Sequence, residues 1–365
     1  TLAAPIYRAD HPEDAAARRA MATFQQLTDA TIGVSAHAWS PDGSEVAFAP
    51  NSNELRIADA KTLETKHSLK EHDMLISAID WHPQSNYIVT CAHDRNAFVW
   101  SFDEGEKKWK PSLVILRIER AALDCRWSLD GQKFAVASSA KCVPVCYYES
   151  DNNWWVSKMI KKHKSSVLSL AWHPCSTVLA TGSSDFRCRV FSAHIDGVDG
   201  AQTAVAGYEA KPFGEVLAEF VCGGWVHAVA YSPSGASLAF AGHDASISVV
   251  TYGQVQTIKL PCLPLTQLLF LDEAKLIGAG HDANPALFAK TNAWAFSRFL
   301  DEKKEAETKA ASGVAAKMAM WQAKDKTGSA QGASAGATAW ASPSRSTCTT
   351  QGTICPRADC QTRPA

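Results

Sequence analysis

Two stretches of this chain repeat the same four side-chain types at the same offsets: His72, Thr90, Asp94 and Trp100, then His163, Thr181, Asp185 and Phe191. In both, the Asp follows the His by 22 residues and the closing aromatic follows it by 28. A spacing kept while the residues between it diverge marks one structural unit used more than once, so the fold must be read as a repeat.

A looser phrase recurs around these two units: an apolar residue, an aromatic, a turn, then an alternating apolar stretch ending in a polar corner. Six copies are marked by Trp39, Trp81, Trp127, Trp172, Tyr231 and Phe270, at intervals of 42, 46, 45, 59 and 39 residues. After the marker come turns such as Ser40-Pro41-Asp42-Gly43 and Ser232-Pro233-Ser234-Gly235, with Pro where a fixed φ fits and Gly at the fourth position. His82-Pro83-Gln84-Ser85 and His173-Pro174-Cys175-Ser176 are close variants. Short strands at even spacing, with no helical-period segment between them, predict an all-β fold, and a period near 40 to 45 is that of a four-stranded WD-repeat propeller blade. The expectation is a WD40 β-propeller, nominally seven-bladed with the seventh blade incomplete. A pair of β-sandwiches is the alternative, but it gives no reason for one spacing to persist.

Composition narrows the function classes. A chain of 365 residues with 46% hydrophobic content suits one propeller better than two ordinary domains. Its formal net charge of −1 gives no electrostatic footprint for nucleic-acid binding, which favours protein partners. No run of 18 apolar residues predicts a membrane span, and the charged opening residues are unlike a secretory signal. The 11 Cys are scattered, and Cys91, Cys125 and Cys188 fall on expected strands as small apolar side chains, which points to a reducing cytoplasm.

A His, a Thr and an Asp in one unit invite comparison with a nucleophile, its base and an orienting group. Repetition argues otherwise, because an active site is needed once whereas every blade must be held together. These residues are read as a structural blade network and no catalytic residue is assigned. Cys142 and Cys146, and Cys348, Cys355 and Cys360, form no CxxC pair, so no metal site is expected. No phosphate-cradling glycine motif follows a strand, and no cofactor is expected.

Several phrases are more specific than blade geometry requires. Asp94-Arg95-Asn96-Ala97-Phe98-Val99-Trp100, then Trp109-Lys110-Pro111-Ser112-Leu113-Val114-Ile115-Leu116-Arg117-Ile118, Asn153-Trp154-Trp155-Val156, Asp185-Phe186-Arg187-Cys188-Arg189-Val190-Phe191 and Gly224-Trp225-Val226-His227 closely resemble the WD-repeat subunit, subunit 1, of the actin-related protein 2/3 complex. The resemblance runs from about Phe24 to about Gln322. It implies a non-enzymatic scaffold in the assembly that nucleates branched actin filaments, cytoplasmic and associated with the actin cytoskeleton. The implied partners are the actin-related proteins, the other subunits and the actin filament. The alternative is a generic WD-repeat adaptor for another complex.

The family also inserts a short helix between its sixth and seventh blades that reaches the mother filament. Here residues 291–326 hold a charged run followed by Val314, Met318 and Trp321 at i, i+4 and i+7, one face of a helix. Such a face either anchors in a partner's groove or packs on its own propeller. The resemblance favours actin binding through Met318, Met320 and Trp321. The expected organisation is thus a disordered extension over 1–22, the propeller over 23–290, this insertion, and a low-complexity tail over 327–365 that is disordered or aberrant. The 59-residue interval before Tyr231 predicts an exposed excursion near Gly197 to Pro212, between blades four and five.

Overall fold

The computed structural model describes residues 33–201, 205 and 208–301. Among these, every helix or strand is a strand: 24 strands form six four-stranded antiparallel sheets. Each sheet takes four consecutive strands in order, within residues 36–69, 76–114, 122–160, 167–221, 226–259 and 265–299. The first strands of successive sheets lie against one another, from Ala36–Trp39 through Ile76–Trp81, Ala122–Trp127, Val167–Trp172 and Val226–Tyr231 to Leu265–Asp272. These are the inner strands of six propeller blades, and all six sequence markers lie on them.

The turns form as their residues dictate. In the Ser-Pro-Asp-Gly turn the Gly43 N–H donates to the Ser40 carbonyl at 2.9 Å while Gly43 takes a left-handed φ of 68°. The same i to i+3 bond recurs at Gly131 to Ser128, Ser176 to His173 and Gly235 to Ser232. At the opposite end of blades two to six, a non-glycine residue adopts positive φ three positions after the second strand: Arg95, Lys141, Phe186, Ala245 and Ala283, at 54° to 73°.

Packing cores lie between neighbouring sheets. Leu55 and Ile57 of blade one meet Ile76, Ile79, Trp81 and Trp100 of blade two, and Val89, Val99 and Val114 of blade two meet Cys125, Trp127 and Phe134 of blade three. Cys91, Cys125 and Cys188 are buried free thiols in strands, as expected of small apolar side chains. In blades two to six a β-bulge interrupts the pairing of inner and second strands four residues before the marker, at Ser77, Leu123, Leu168, His227 and Thr266. A bulge turns its extra residue out of the ladder, so this position is free to aim a side chain elsewhere.

Two boundaries differ from the sequence reading. The outer strand of blade six, Trp294–Phe299, lies beyond residue 290, where the charged run starting at Asp301 had pulled the expected edge of the propeller inward. Trp294 is buried, edge-on to Phe270 at 5.8 Å. The excursion near Gly197 belongs inside blade four, between the strands Arg187–Ser192 and Val216–Val221, rather than between blades four and five. Its root is buried: the Lys133 ammonium of blade three donates to the Asp199 carboxylate at 2.6 and 2.5 Å and to the Ala193 carbonyl at 3.1 Å, 5.5 Å from the Trp172 ring. The expected extension, seventh blade, helix and tail fall outside the described residues.

Candidate functional site

In blade two the four repeated positions meet. His72 reaches the Asp94 carboxylate through Nδ1 at 2.8 Å and the Thr90 hydroxyl through Nε2 at 2.8 Å, and the Trp100 indole N–H donates to that hydroxyl at 2.9 Å. A carboxylate can only accept, so Nδ1 carries the proton, Nε2 accepts from Thr90, and the order runs from Trp100 to Asp94. Burial disfavours the Asp94 carboxylate, but His72 and the amides of Asn96 and Asp73 outweigh it and leave its pKa below the ordinary value. Thr90 is fully buried and His72 is 3% exposed, so this set joins two strands, a loop and a turn with no face open to a substrate.

Blade four brings the same positions together with one insertion. His163 Nε2 lies 3.2 Å from the Thr181 hydroxyl, but Nδ1 is 3.9 Å from Asp185. Arg189, which stands where blade two has Phe98, donates to Nδ1 at 3.2 Å and to Asp185 at 2.7 Å. A guanidinium can only donate, so His163 accepts at Nδ1 and carries its proton on Nε2. Thr181 accepts from Nε2 and turns its own hydroxyl to donate to the Arg189 carbonyl at 3.3 Å. Burial, reinforced by the Arg189 charge, pushes the His163 pKa down to about 4.

Further polar side chains cross the seams between blades. Ser35 and Ser77, each four residues before a marker, donate to the carbonyls of Ile76 and Ala122 in the next blade at 2.8 Å. Asp80 accepts the Trp127 N–H at 2.7 Å and Asp124 accepts the Leu170 N–H at 3.0 Å, with Arg126 facing both carboxylates. Burial raises the Asp80 pKa to about 6, against the pull of Arg126. His82 in the turn of blade two contacts the Gly131 carbonyl of blade three at 3.0 Å. Sequence reasoning missed these bonds, although the marker offset that Ser35 and Ser77 share was a usable signal.

Two phrases that carried the resemblance line one surface groove. Ser112, Leu113, Ile115 and Arg117 from the outer edge of blade two face Asn153, Trp154 and Trp155 of blade three. Leu113, Ile115 and Trp154 are 50%, 55% and 51% exposed, a contiguous apolar surface of the kind that marks protein contacts. Met318, Met320 and Trp321 lie outside the described residues. Among the described residues no cluster of three or more His, Cys, Asp or Glu is arranged to hold a metal ion, and no helix is long and apolar enough to cross a membrane.

Comparison with known proteins agrees with this architecture. The family model "WD domain, G-beta repeat" matches residues 63–101 and 154–192, which contain the whole of both repeated units. The chain is 46% identical over 286 residues to actin-related protein 2/3 complex subunit 1A of Arabidopsis thaliana, covering 75% of each chain. It is 48% identical over 264 residues to actin-related protein 2/3 complex subunit 1A-A of Xenopus laevis, covering 70% of this chain and 71% of the relative. It is 38% identical over 275 residues to actin-related protein 2/3 complex subunit 1 of Saccharomyces cerevisiae, covering 73% and 71%.

Proposed function

Because this chain belongs to the family of subunit 1 of the actin-related protein 2/3 complex, we propose that it is the WD-repeat scaffold subunit of that assembly in its own cell. The observation that carries this reading is identity of 38% to 48% to such subunits from plant, frog and yeast, over 70% or more of the chain. The groove between blades two and three supports it. The phrases that line the groove exceed what blade geometry needs, and an exposed apolar surface of this kind suits a contact with a neighbouring subunit.

In this role the propeller performs no chemistry. It holds other subunits in register in the cytoplasm so that a new actin filament can be nucleated from the side of an existing one. Met318, Met320 and Trp321 are the residues proposed to touch the actin filament. Affinity purification of the tagged full chain is expected to recover two actin-related proteins with the remaining subunits. Recovery of an unrelated set would instead identify a generic WD-repeat adaptor. In a reconstituted complex, Trp321→Ala is expected to reduce branch formation while leaving assembly intact, and unchanged branching would remove the helix from the account.

A further inference from the structure

The corner end of blades three and four carries a cluster of cations that the blade networks do not use. Lys141 stands in the corner between the second and third strands of blade three, at a left-handed φ of 62°. The linker entering that blade lies against the corner: the Ser139 N–H donates to the Ala121 carbonyl at 2.9 Å, and the Ser138 hydroxyl donates to the Arg120 carbonyl at 3.5 Å. Lys161 follows directly on Ile160, which pairs in the outer ladder with Val143, two residues past Lys141. Burial raises the Cys142 pKa, the Lys161 charge opposes the rise and Glu119 adds to it, so both charges stand beside this corner.

The patch continues into blade four. Lys164 lies three residues beyond Lys161 in the linker to that blade, and its N–H donates to the Asp185 carboxylate at 2.9 Å in the next corner. Phe186 follows Asp185 there, 45% exposed and at a left-handed φ of 65°, a conformation in which a bulky side chain is uncommon. Arg120, Lys141, Lys161 and Lys164 are all exposed, and among the described residues none of the four forms an ion pair. Lys162, in the same linker, is engaged by Glu215 at 3.3 Å. Exposed Glu119 offsets one of the four charges, while the Asp185 carboxylate is taken up by Arg189 at 2.7 Å. The opposite ends of the same two blades carry Asp130, Asp151 and Asp196.

We propose that this patch docks on the anionic surface of a lipid bilayer, with the four cations at the headgroups and Phe186 in the interfacial layer. Several unpaired basic side chains beside an exposed aromatic complement a membrane of acidic lipids. The cations come from two linkers and a corner and are spread over the ends of two blades, which suits a plane of repeated negative charge. The acidic opposite ends are repelled by such a plane, so the field orients the blades as well as holding them. This inference rests on the surface of the described blades and not on the scaffold role.

Vesicles of phosphatidylcholine with about one third phosphatidylserine should sediment the purified full chain, and vesicles of phosphatidylcholine alone should not. Raising sodium chloride to about 0.5 M should release it. Lys141→Gln and Lys161→Gln should each weaken binding about fivefold. Phe186→Asn, which suits the left-handed corner and should keep the melting temperature, should weaken it about threefold or more. Lys61→Gln, in an exposed turn at the opposite end of blade one, should leave binding unchanged. Equal sedimentation with both vesicles, an equal loss in Lys61→Gln, or no loss in the Lys141 and Lys161 variants overturns the proposal. So does a capped oligoglutamate peptide that binds as tightly and responds to the same substitutions, which would assign the patch to an acidic protein segment.

Discussion

Arg189 donates a hydrogen bond to Nδ1 of His163 at 3.2 Å, and that one contact reverses the proton order that His72 holds in blade two. The shared His and Thr are therefore wired in opposite directions in two blades of one chain. The difference traces to a single exchange, Phe98 for Arg189, since Phe98 only packs edge-on against His72 at 4.8 Å.

Arg189→Phe should restore the blade two arrangement. His163 would then donate from Nδ1 to Asp185, and its pKa should rise from about 4 by about one unit or more as the adjacent cation disappears. Imidazole chemical shifts followed against pH report both the tautomer and the midpoint. An unchanged midpoint would mean that burial alone sets it.

Stability should fall on mild acidification. The folded pKa values of His163 and His227, about 4, lie below the unfolded value near 6.5, so the unfolded chain binds protons that the folded one refuses. Their contribution is complete above pH 6.5 and is lost toward pH 4, at about 1.4 kcal/mol per pH unit for each fully shifted group. His37 and His82 are shifted in the same direction by burial. Asp80, raised to about 6 by burial, has the opposite sign below that pH, but its side chain keeps 22% exposure and its share is smaller. Urea midpoints measured from pH 7 to pH 4.5 should decline, and His163→Gln should flatten the slope.

Gly131 and Gly235 should resist substitution for two separate reasons. Both hold left-handed φ, at 73° and 77°, and a side chain on either would fall on the imidazole of His82 or His173 from the preceding blade. Gly131→Ala should cost more than the roughly 1 kcal/mol of an Ala at positive φ. Pairing it with His82→Ala should return only the steric part, which a double-mutant cycle of unfolding free energies would measure.

Lys133→Met should be among the costly single changes, at about 3–5 kcal/mol, because it strands the Asp199 carboxylate in the interior. The Lys133 side chain has no exposure and that of Asp199 has 3%. Burial lowers the Lys133 pKa even though Asp199 works against the shift. Adding Asp199→Leu should recover most of the loss in a thermal or urea melt, since an apolar pair of similar volume needs no desolvated charge.

The inner strands were legible in the sequence because each carries a large aromatic followed at once by turn chemistry, as at Trp39 and Trp81. The outer strand of blade six was not. Trp294–Phe299 alternates as a strand should, but it borders a charged run that reads as a separate segment. The residues of the two four-position networks were visible from their offsets, whereas the Arg189 insertion was not, because spacing identifies a position and says nothing of which partner donates. The seam bonds of Asp80 and Asp124 were hidden for another reason. Their partners are backbone N–H groups, which every non-proline residue offers and which leave no trace in a sequence.

Those seams have an evolutionary corollary. A joint in which Ser77 or Asp80 holds the main chain of the following blade places a demand on one side only. The receiving strand can drift in sequence without loosening the join, so the faces of adjacent blades can be remodelled for new neighbours one at a time while the ring beneath them stays in place.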